Sequence, residues 1–564
     1  MNKSNMSVRK SWWTGSAAIV CSLAVIGAWS TSVSSEEATQ GITQEDVTQA
    51  MVTEVIEPNQ PSVLRIPAVE LSTAEREALI VKKRQLRESV AATTRSDLTG
   101  PAGLPPVVGR GTGLVGDATK FPTTPGALVI KRNNLNPPTL SQSTLAEPAA
   151  ANNGAQVLAT GNFSHFESST NGGATWTKST FPAGPADAPL NCCDNDVIHD
   201  KGRGVTFMST LYINNALTNG VVRIFVRRNI GTAFNCSYDI DPAGTANNIL
   251  PDYPHIGISN NHLYLTLNNI GPGGQAQIRR FNIDNMADCV GAATNTVNLN
   301  DRATVGQRVV TPAEGARETQ YFSWAENATQ IRIWSWPQAA AAPTSVLRTI
   351  SASTFSNPDC RGGVGNADYT DSLWASIHGF NRRGAVGKGR VYFYWNVGPD
   401  TSHTQGHVHS AIFTEGSLAL LAQTPMFISG NAACNGIPAI STNDRGDLGI
   451  STAIGGKAGG NPVGGNAGAA QGYVGIADDF AGGIGFFPSV ALTAGGTHNR
   501  TDQRYGDYFV THPHNPCGGS WTATNYALNG GLAVANVNSR YIEFGRGRDR
   551  GCQDEYVNAQ PAAQ

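Results

Sequence analysis

Short clusters of carboxylate, tyrosine, histidine and arginine side chains recur along the chain, each next to a predicted strand. Their members are Cys192, Cys193, Asp194 and Asp196; Asp252, Tyr253 and His255; Arg317, Glu318 and Gln320; Arg361, Asp368, Tyr369 and Asp371; Asn435; and Arg504, Tyr505, Asp507 and Tyr508. Paired carboxyl groups can cleave a glycosidic bond, one as acid and the other as nucleophile or base. Tyrosine and histidine can instead move protons while arginine neutralises a carboxylate of the substrate. Brought together, these residue types would suit an anionic sugar.

Roles follow from residue type within these clusters. The predicted catalytic residues are Asp252, Tyr253, His255, Glu318, Asp507 and Tyr508. The predicted substrate-binding residues are Cys192, Cys193, Asp194, Arg317, Arg361, Tyr369, Asp371, Arg504 and Tyr505. Each cluster also has a structural interpretation. Asp252 and Tyr253 could build the turn before Pro254, and residues 504–508 could form a buried ion pair with aromatic packing.

A repeated β-hairpin is the element that must position these clusters. A short strand, a tight polar turn and a second strand rich in β-branched and aromatic residues recur, as in DNDVIHD followed by VTFMSTLYI. Seven such hairpins follow one another at intervals of roughly 40 to 70 residues, which is typical of β-propeller blades. The early stretch ALVIKR could complete the last blade. We therefore predict an all-β fold, a six- or seven-bladed β-propeller, with a β-solenoid as the alternative.

The innermost strand of each propeller blade runs along the central channel. Side chains at one end of those strands meet around the end of the channel, where ligand sites collect. We therefore expect the polar clusters to converge there from several blades.

Residues 169–176, with the sequence STNGGATW, resemble the Asp-box of sialidases and related propellers, S-x-D-x-G-x-T-W, with Asn171 in place of aspartate. The resemblance implies a structural hairpin in which the Asx side chain and glycine hold the turn. It also implies a sialidase-like propeller, whose mechanism uses three arginines to grip a carboxylate; Arg317, Arg361 and Arg504 lie in separate predicted blades. The box occurs in glycanases, lectins and receptors as well, so it favours the fold more than one activity.

Composition limits the kinds of partner. The chain has 564 residues, with 40 Lys and Arg against 42 Asp and Glu, a formal net charge of −2. This balance predicts no nucleic-acid partner and no attraction to membrane surfaces. Only 15% of residues are charged while 40% are hydrophobic, enough for a large core. We expect a carbohydrate partner and a monomeric protein.

The first residues have the form of a secretory signal peptide. Lys3, Arg9 and Lys10 precede an uncharged stretch, residues 11–35, with small residues that suit cleavage after Ser30 or Ser35. A single membrane anchor is the alternative. We predict a signal peptide over residues 1–35, removed on export, and a secreted or periplasmic protein with no membrane association afterwards.

Residues 69–90 have helical spacing, with Ser72 or Thr73 as the cap. Basic residues near the C-terminal end would favour the helix dipole; they are Lys82, Lys83, Arg84 and Arg87. We interpret residues 36–113 as a helical pro-segment followed by a Pro/Gly linker, and residues 114–564 as the propeller domain.

Eight cysteines remain after removal of Cys21, and in an exported chain disulfides are the default expectation. Neighbour pairing gives Cys192–Cys193, Cys236–Cys289, Cys360–Cys434 and Cys517–Cys552. Eight cysteines allow 105 connectivities, so other pairings stay open. A bond between adjacent Cys192 and Cys193 would offer a rigid apolar plate against which a ligand could stack.

Five histidines on predicted loops could bind a transition metal, although ordinary surface histidines explain them more simply. They are His403, His407, His409, His512 and His514. Loop carboxylates and carbonyls could hold calcium, but no EF-hand pattern occurs. We predict no metal ligands and no bound cofactor.

These patterns favour a secreted, glycan-active propeller enzyme, either a glycoside hydrolase or a polysaccharide lyase acting on an anionic or complex sugar. A non-catalytic carbohydrate-binding or adhesion propeller is the first alternative. A metal-dependent oxidoreductase propeller that uses the histidine loops is the second. Two carboxyl groups within roughly 5 to 10 Å in the channel would favour hydrolysis, whereas tyrosine, histidine and arginine without such a pair would favour elimination.

Overall fold

The computed structural model describes most of the chain from Met51 onwards. The described residues are 51–59, 64, 67–68, 71–91, 127–135, 145–163, 165–230, 233–242, 250–271, 275–299, 309–327, 329–350, 360–362, 367–368, 383–398, 405–426, 433–456, 469–477, 484–488, 490–500, 505–531 and 533–547. The predicted signal peptide and the Pro/Gly linker lie outside them and stay predictions. Within the described residues, no helix has the length and hydrophobicity required to cross a bilayer.

The described residues form a seven-bladed β-propeller, with blades numbered here in chain order. Before blade 1 come β1 (Val52–Ile56), α1 (Thr73–Ala91) and β2 (Leu128–Leu135). Blade 1 contains β3 (Ala149–Asn153), β4 (Gln156–Thr160), β5 (His165–Ser169) and β6 (Thr177–Thr180). Blade 2 contains β7 (Leu190–Asn191), β8 (Asp196–Asp200), β9 (Val205–Ile213), β10 (Gly220–Arg227) and β11 (Cys236–Ile240). Blade 3 contains β12 (Leu250–Ile258), β13 (His262–Ile270), β14 (Ala276–Asn282), the helix α2 (Ile283–Ala287) and β15 (Ala292–Leu299).

The remaining blades follow the same plan. Blade 4 contains β16 (Thr319–Asn327), β17 (Gln330–Pro337) and β18 (Thr344–Thr349), and the small hairpin β19 (Arg361–Gly362) and β20 (Ala367–Asp368) follows it. Blade 5 contains β21 (Arg383–Gly387), β22 (Arg390–Val397), β23 (His407–Thr414) and β24 (Leu420–Pro425). Blade 6 contains β25 (Cys434–Thr442), β26 (Leu448–Gly455), β27 (Gln471–Ile476) and β28 (Val490–Ala494). Blade 7 contains β29 (Val510–Pro513), β30 (Trp521–Asn525), a 3₁₀ turn (Val534–Asn536) and β31 (Arg540–Arg546).

The middle strands of the blades are buried on both faces. Every residue of β9 and of β10 is buried, and the same holds for β26. Because each blade packs against a neighbour on either side, these strands do not need a polar face. This explains why they read as nearly continuous runs of β-branched and aromatic residues, such as VTFMSTLYI in β9.

The ring is closed by an early strand, as predicted. Strand β2 pairs antiparallel with β31 at the outside of blade 7, with Leu128 opposite Arg546 and Leu135 opposite Arg540. A second early strand, β1, extends blade 3 by pairing with β15, with Val52 opposite Thr296. Both segments that flank α1 are therefore held on the propeller by backbone pairing.

The hairpin pattern predicts that the stretch LWASIHGF, residues 373–380, pairs with β22. In the structure β22 pairs with β21 on one side and β23 on the other, and residues 373–380 lie outside the described residues. In blade 4 the buried stretch 309–313 lies next to β16, on the side of the channel. There the N–H of Ala313 donates to the carbonyl of Tyr321 at 3.0 Å. The next residue, Glu314, bridges to Ala385 of the innermost strand of blade 5.

Helix α1 begins with the predicted capping residue. The backbone N–H of Glu75 donates to Ser72 Oγ at 3.3 Å, and the N–H of Ser72 donates to Glu75 Oε2 at 2.7 Å. This reciprocal pair satisfies two donors that a helix start otherwise leaves free. The hydrogen bond from Ser72 also lowers the pKa of the Glu75 carboxyl.

Three of the four predicted disulfides are present: Cys192–Cys193, Cys236–Cys289 and Cys360–Cys434. Cys517 is not bonded to any described cysteine, and its predicted partner, Cys552, lies outside the described residues. The last predicted pair therefore stays a prediction.

Candidate active site

The innermost strands of neighbouring blades start at the same end of the channel, which we call the mouth. Carboxylates stand at or just before the start of four of these strands: Glu147 before β3, Asp194 before β8, Asp252 within β12 and Asp507 before β29. Oxygen atoms of Glu147, Asp194 and Asp507 all lie within 4.8 Å of one another. The four residues are buried. Three of the carboxylates singled out in the sequence, Asp194, Asp252 and Asp507, therefore lie at the mouth.

The backbone at the mouth has an unusual conformation that repeats from blade to blade. Positive φ angles occur at Glu147 (40°), Asp194 (57°), Tyr253 (53°) and Ile437 (55°). Non-glycine residues rarely adopt such angles, and those that do concentrate at functional sites. Three of the four precede a proline. In blades 3 and 6 the strand register shifts at this point, so a bulge re-aims the side chains.

Hydrogen bonds fix the orientation of Glu147. Its Oε1 accepts from the backbone N–H of Asp507 at 2.8 Å, and its Oε2 accepts from Asn162 Nδ2 at 2.7 Å. The Oδ1 of Asn162 in turn accepts from the N–H of Asp194 at 3.0 Å. Three blade starts are therefore linked through two buried side chains, which holds the carboxylates in one arrangement.

A second buried carboxylate, Asp196, lies beside this cluster. Its Oδ2 lies 3.3 Å from His255 Nδ1 and accepts from the N–H of Ile256 at 3.1 Å. Its Oδ1 accepts from the N–H of Val197 at 2.9 Å. The carboxylate therefore orients the imidazole of His255, a predicted catalytic residue.

Tyr253, His255 and Tyr508 pack edge to face beside the carboxylates. Their ring centroids are 4.5 Å (Tyr253–His255), 4.7 Å (His255–Tyr508) and 5.8 Å (Tyr253–Tyr508) apart. The hydroxyl of Tyr508 donates to the carbonyl of Asn195 at 2.9 Å. Burial, reinforced by the charges of Glu147 and Asp194, raises the pKa of Tyr508 well above its ordinary value. This phenol therefore stays protonated at neutral pH.

A cation from α1 contacts the carboxylate cluster. Lys83 Nζ forms ion pairs with Asp194 Oδ2 and, at 2.6 Å, with Asp252 Oδ1. It also lies 3.3 Å from Cys193 Sγ. Lys83 is 7% exposed. The prediction that this lysine serves the helix dipole was therefore incomplete, because its ammonium group enters the propeller mouth.

The Cys192–Cys193 disulfide is buried beneath the same helix. Cys192 and Cys193 belong to one hydrophobic cluster with Leu79 and Ile80 of α1. In this arrangement the predicted apolar plate contacts the chain itself and not open solvent.

Arg317 and Glu318 lie at the end of the ring opposite the mouth. Asn260, in the turn that follows innermost strand β12, donates from its backbone N–H to the Arg317 carbonyl at 3.1 Å and from Nδ2 to Glu318 Oε1 at 2.6 Å. Asp252 stands near the start of that same strand. The length of the strand therefore separates both residues from the carboxylate cluster, and both are exposed.

Tyr505 is placed in hydrophobic packing. Its ring stacks on Tyr526 with centroids 4.5 Å apart, and its hydroxyl donates to the Tyr526 carbonyl. Both rings belong to the hydrophobic cluster that contains the Cys360–Cys434 disulfide. Burial raises the pKa of Tyr505 well above its ordinary value.

The remaining predicted binding residues cannot be placed. Tyr369, Asp371 and Arg504 lie outside the described residues, and of Arg361 only the backbone, in β19, is described. The arginine triad implied by the sialidase resemblance therefore stays a prediction.

The described histidines of this set lie in blade 5 and blade 7. His512 lies 3.3 Å from Glu314, and His514 lies 3.7 Å from Glu543, both in buried pairs. His407 and His409 are on β23 in blade 5, and His403 is outside the described residues. The described residues that could hold a metal ion are Glu147, Asp194 and Asp507, whose oxygen atoms suit calcium more than a transition metal.

Sequence reasoning missed Glu147, Asn162 and the insertion of Lys83. Glu147 had a usable signal, because it precedes Pro148 at a strand start just as Tyr253 precedes Pro254. Asn162 lies in a blade loop and Lys83 lies in a separate helix. The repeated hairpin pattern therefore does not identify either of them as a site residue.

Comparisons with known proteins give only distant similarity. No protein-family model matches the chain, and no curated protein matches it. Among solved structures, the GH93 α-L-arabinofuranosidase of Fusarium graminearum in complex with arabinobiose has 9% identity, covers 74% of this chain and 98% of its own, and gives a TM-score of 0.35. The GH43 endo-arabinanase from Bacillus licheniformis has 10% identity over 62% of this chain and 98% of its own, with a TM-score of 0.28.

A Trypanosoma rangeli sialidase has 8% identity over 77% of this chain and 60% of its own, with a TM-score of 0.35. At such low identity and TM-score we draw no conclusion about the chemistry of this chain from these structures. The fold assignment rests on the strand pairing described above.

Proposed function

We propose that the chain is a glycan-active propeller enzyme, a glycoside hydrolase whose reacting groups are the carboxylates at the mouth. The observation that carries the proposal is the convergence of Glu147, Asp194, Asp252 and Asp507 from four blades. Burying like charges side by side is unfavourable for folding, and such arrangements concentrate at functional sites. Glycoside hydrolysis is the reaction that most directly requires two close carboxyl groups.

Asp194 and Asp252 are the proposed reacting pair. Each has an oxygen in contact with one atom, Lys83 Nζ, which belongs to α1 and not to the propeller. That atom marks the position at which the glycosidic bond of a substrate would lie. One carboxyl group would protonate the leaving oxygen while the other attacks the anomeric carbon. Glu147 and Asp507 would support the pair from the neighbouring blades.

The spacing favours a retaining reaction. Asp194 Oδ2 and Asp252 Oδ1 both contact the same atom, Lys83 Nζ, so these oxygens lie no further apart than two charge-assisted contacts, about 5.5 Å. Retaining glycosidases hold their carboxyl groups about 5–5.5 Å apart, whereas inverting ones leave room for a water at roughly 6.5–9.5 Å. We therefore propose a covalent glycosyl-enzyme intermediate on one of the mouth carboxylates.

Hydrolysis fits the mouth better than elimination. A lyase requires a tyrosine or histidine that accepts a proton. Tyr508 is a poor base because its pKa is raised by burial and its hydroxyl already donates to Asn195. His255 is positioned by the Asp196 carboxylate at Nδ1 and is not blocked as a base by that contact, so the reaction screen below decides between the two reactions.

We place an uncharged sugar ahead of the anionic one suggested by residue types alone. Five carboxyl groups lie at or beside the mouth, those of Glu147, Asp194, Asp196, Asp252 and Asp507, and carboxylates repel an anionic sugar. A purely sugar-binding propeller would not require several buried carboxylates at one point, so we place it second.

Two further proposals concern location and family. The disulfides fit an extracellular or periplasmic protein, and we propose that the chain is secreted through the signal peptide pattern at its start. We also propose that residues 169–176 are a sialidase-type Asp-box with Asn171 in the aspartate position.

A reaction screen tests the proposed function. The oxidised full chain, and a Lys83→Met variant, are incubated with neutral, sialylated and uronic-acid polysaccharides while reducing ends and unsaturated uronates are followed together. We expect new reducing ends from a neutral glycan without the unsaturated chromophore. Both signals rising together would establish a lyase instead. Silence of both signals, with retention on a glycan array, would leave the binding propeller as the better account.

A further inference from the structure

The helix that precedes the propeller places a cation inside the candidate active site. Lys83 Nζ contacts Asp194 and lies 2.6 Å from Asp252 Oδ1, and the exposed fractions of the three side chains are 9%, 3% and 0%. An ammonium group at this depth would be costly to bury without its carboxylate partners. Lys83 therefore fills the position between the two proposed reacting groups.

Apolar contacts hold the helix over the mouth. Leu71, Leu79 and Ile80 are at most 8% exposed and lie in the same hydrophobic cluster as the Cys192–Cys193 disulfide. This side of α1 is therefore part of the core that joins blades 2 and 3.

Polar contacts at the rim extend the attachment. Lys82 Nζ donates to the carbonyl of Asn215, in the turn between β9 and β10, at 3.3 Å. Glu77 pairs with Arg500, which precedes blade 7, at 3.2 Å. The helix thus reaches from blade 2 towards blade 7, across the end of the channel where the carboxylates meet.

A buried amide near Asp252 is left without a partner in this arrangement. Asn268 lies opposite Asp252 in the β12–β13 ladder, so both side chains point to the same side of the blade. Asn268 is 1% exposed, and neither polar atom of its side chain makes a hydrogen bond with any described residue. Buried polar groups are normally paired. A sugar hydroxyl bound beside Asp252 would supply a partner that Lys83 does not.

We propose that α1 is an internal inhibitor that binds the propeller mouth in place of substrate, with Lys83 as its anchoring group and with Asp194 and Asp252 as its receptor. This rests on the proposed function in naming the blocked site as a glycosidase site. Strand β1 is paired with β15 and β2 with β31, so α1 can leave the mouth without breaking either strand pairing.

Accessibility of the carboxylates tests the inhibitor role without relying on hydrolysis. The full oxidised chain is labelled with a carbodiimide and glycine ethyl ester, and modification of Asp194 and Asp252 is measured by mass spectrometry. Hydrogen exchange of residues 73–91 is measured in parallel. The variants are Lys83→Met, which removes the anchor, and Leu79→Ala, which weakens the apolar contact and keeps the anchor. Lys82→Met is the matched control, because this neighbouring lysine donates to a rim carbonyl and contacts no carboxylate of the described residues.

In Lys83→Met and in Leu79→Ala we expect hydrogen exchange of the α1 amides to be at least about tenfold faster than in the wild type, with unchanged exchange in β9 and β10. Labelling of Asp252 should rise at least about tenfold in both variants, and Lys82→Met should resemble the wild type. Unchanged labelling in Leu79→Ala despite a loosened helix would overturn the proposal, because α1 would then not cover the site. Unchanged exchange of α1 in both variants would overturn it as well.

Hydrolysis is scored separately. Increased labelling together with faster glycan cleavage supports both proposals. Increased labelling in variants that cleave none of the screened glycans supports the proposal that α1 covers the mouth and counts against the proposed function. Faster cleavage without increased labelling counts against the inhibitor and leaves the hydrolase intact.

Discussion

His255 Nδ1 lies 3.3 Å from Asp196 Oδ2, and both side chains are fully buried. Two backbone N–H groups, of Val197 and Ile256, also donate to this carboxylate. Asp196 therefore cannot rotate freely, and it fixes the imidazole between the rings of Tyr253 and Tyr508. The pair is built to orient a histidine beside the carboxylate cluster.

Asp196→Asn should lower kcat about tenfold to a hundredfold while KM changes less than about twofold. The asparagine keeps the size of the side chain but loses the charge that orients the imidazole. Steady-state kinetics on the glycan found by the screen, measured across pH, provide the check. A positioning role predicts a shifted pH profile of kcat. An equal loss at every pH, together with a lowered melting temperature, would indicate a purely structural aspartate.

Asp252→Asn should lower kcat by about a thousandfold, the range expected for loss of an acid, base or nucleophile. Asp194→Asn should have a comparable effect. The control is Asp288→Asn, because Asp288 has a 66% exposed side chain and lies in a surface pair with Arg228. Kinetics on the screened glycan decide the outcome. Retention of more than about a tenth of wild-type kcat in Asp252→Asn would remove this residue from the reacting pair.

The fold followed from local sequence patterns because each blade is built from neighbours in the chain. The hairpins β8–β9 and β29–β30, and the closing strand β2, are all visible as apolar runs separated by turn residues. The capping box at Ser72 is likewise encoded within four residues. Such elements are determined by short-range physics, so one sequence suffices to predict them.

The site was only partly predictable because it is made by side chains far apart in sequence. Asp252, Asp194 and Asp507 were predicted, and they stand at strand starts in a repeated pattern. Arg317 and Glu318 were also assigned to the site. They follow residues 309–313, the innermost stretch of blade 4, and therefore lie at the end of the channel opposite the mouth. The sequence of a polar cluster next to a strand does not indicate at which end of the channel that cluster lies.

Lys83 was unpredictable for another reason. Its helix is amphipathic in the ordinary way, and nothing within residues 73–91 says which surface it covers. The contact with Asp252 bridges parts of the chain that no local pattern connects.

Asn171→Ala should destabilise the propeller by about 1–2 kcal/mol. The Oδ1 of Asn171 accepts from the Thr175 N–H and from the Ser169 hydroxyl, each at 2.9 Å, and its Nδ2 donates to Thr175 Oγ1. Alanine would remove all three bonds from the turn between β5 and β6. Urea unfolding should show a lower midpoint at an unchanged m-value. Asn171→Asp keeps both acceptor functions and should stay within about 0.5 kcal/mol of the wild type; equal losses in both variants would show that the amide donor alone holds the turn.

Glu167 should make the protein less stable as the pH rises from about 4.5 to about 7. This residue of β5 is 0% exposed, and neither carboxyl oxygen bonds to a described residue. Burial raises the pKa of Glu167 from 4.5 to about 7, against a smaller opposing effect of the Lys178 charge. Between these values the folded chain retains a proton that the unfolded chain has lost, so ionisation favours unfolding.

Glu167→Gln removes this titration while keeping a neutral side chain of the same size. The variant should match the wild type at about pH 4 and become more stable than it by about 2 kcal/mol at about pH 8, with the change between the two pKa values. Urea midpoints of both proteins across this range provide the measurement. The effect has the opposite sign to that of an ion-paired carboxylate, which stabilises the folded state as it ionises. Parallel curves for the two proteins from about pH 4 to 8 would mean that Glu167 does not titrate there and that a further group stabilises its charge.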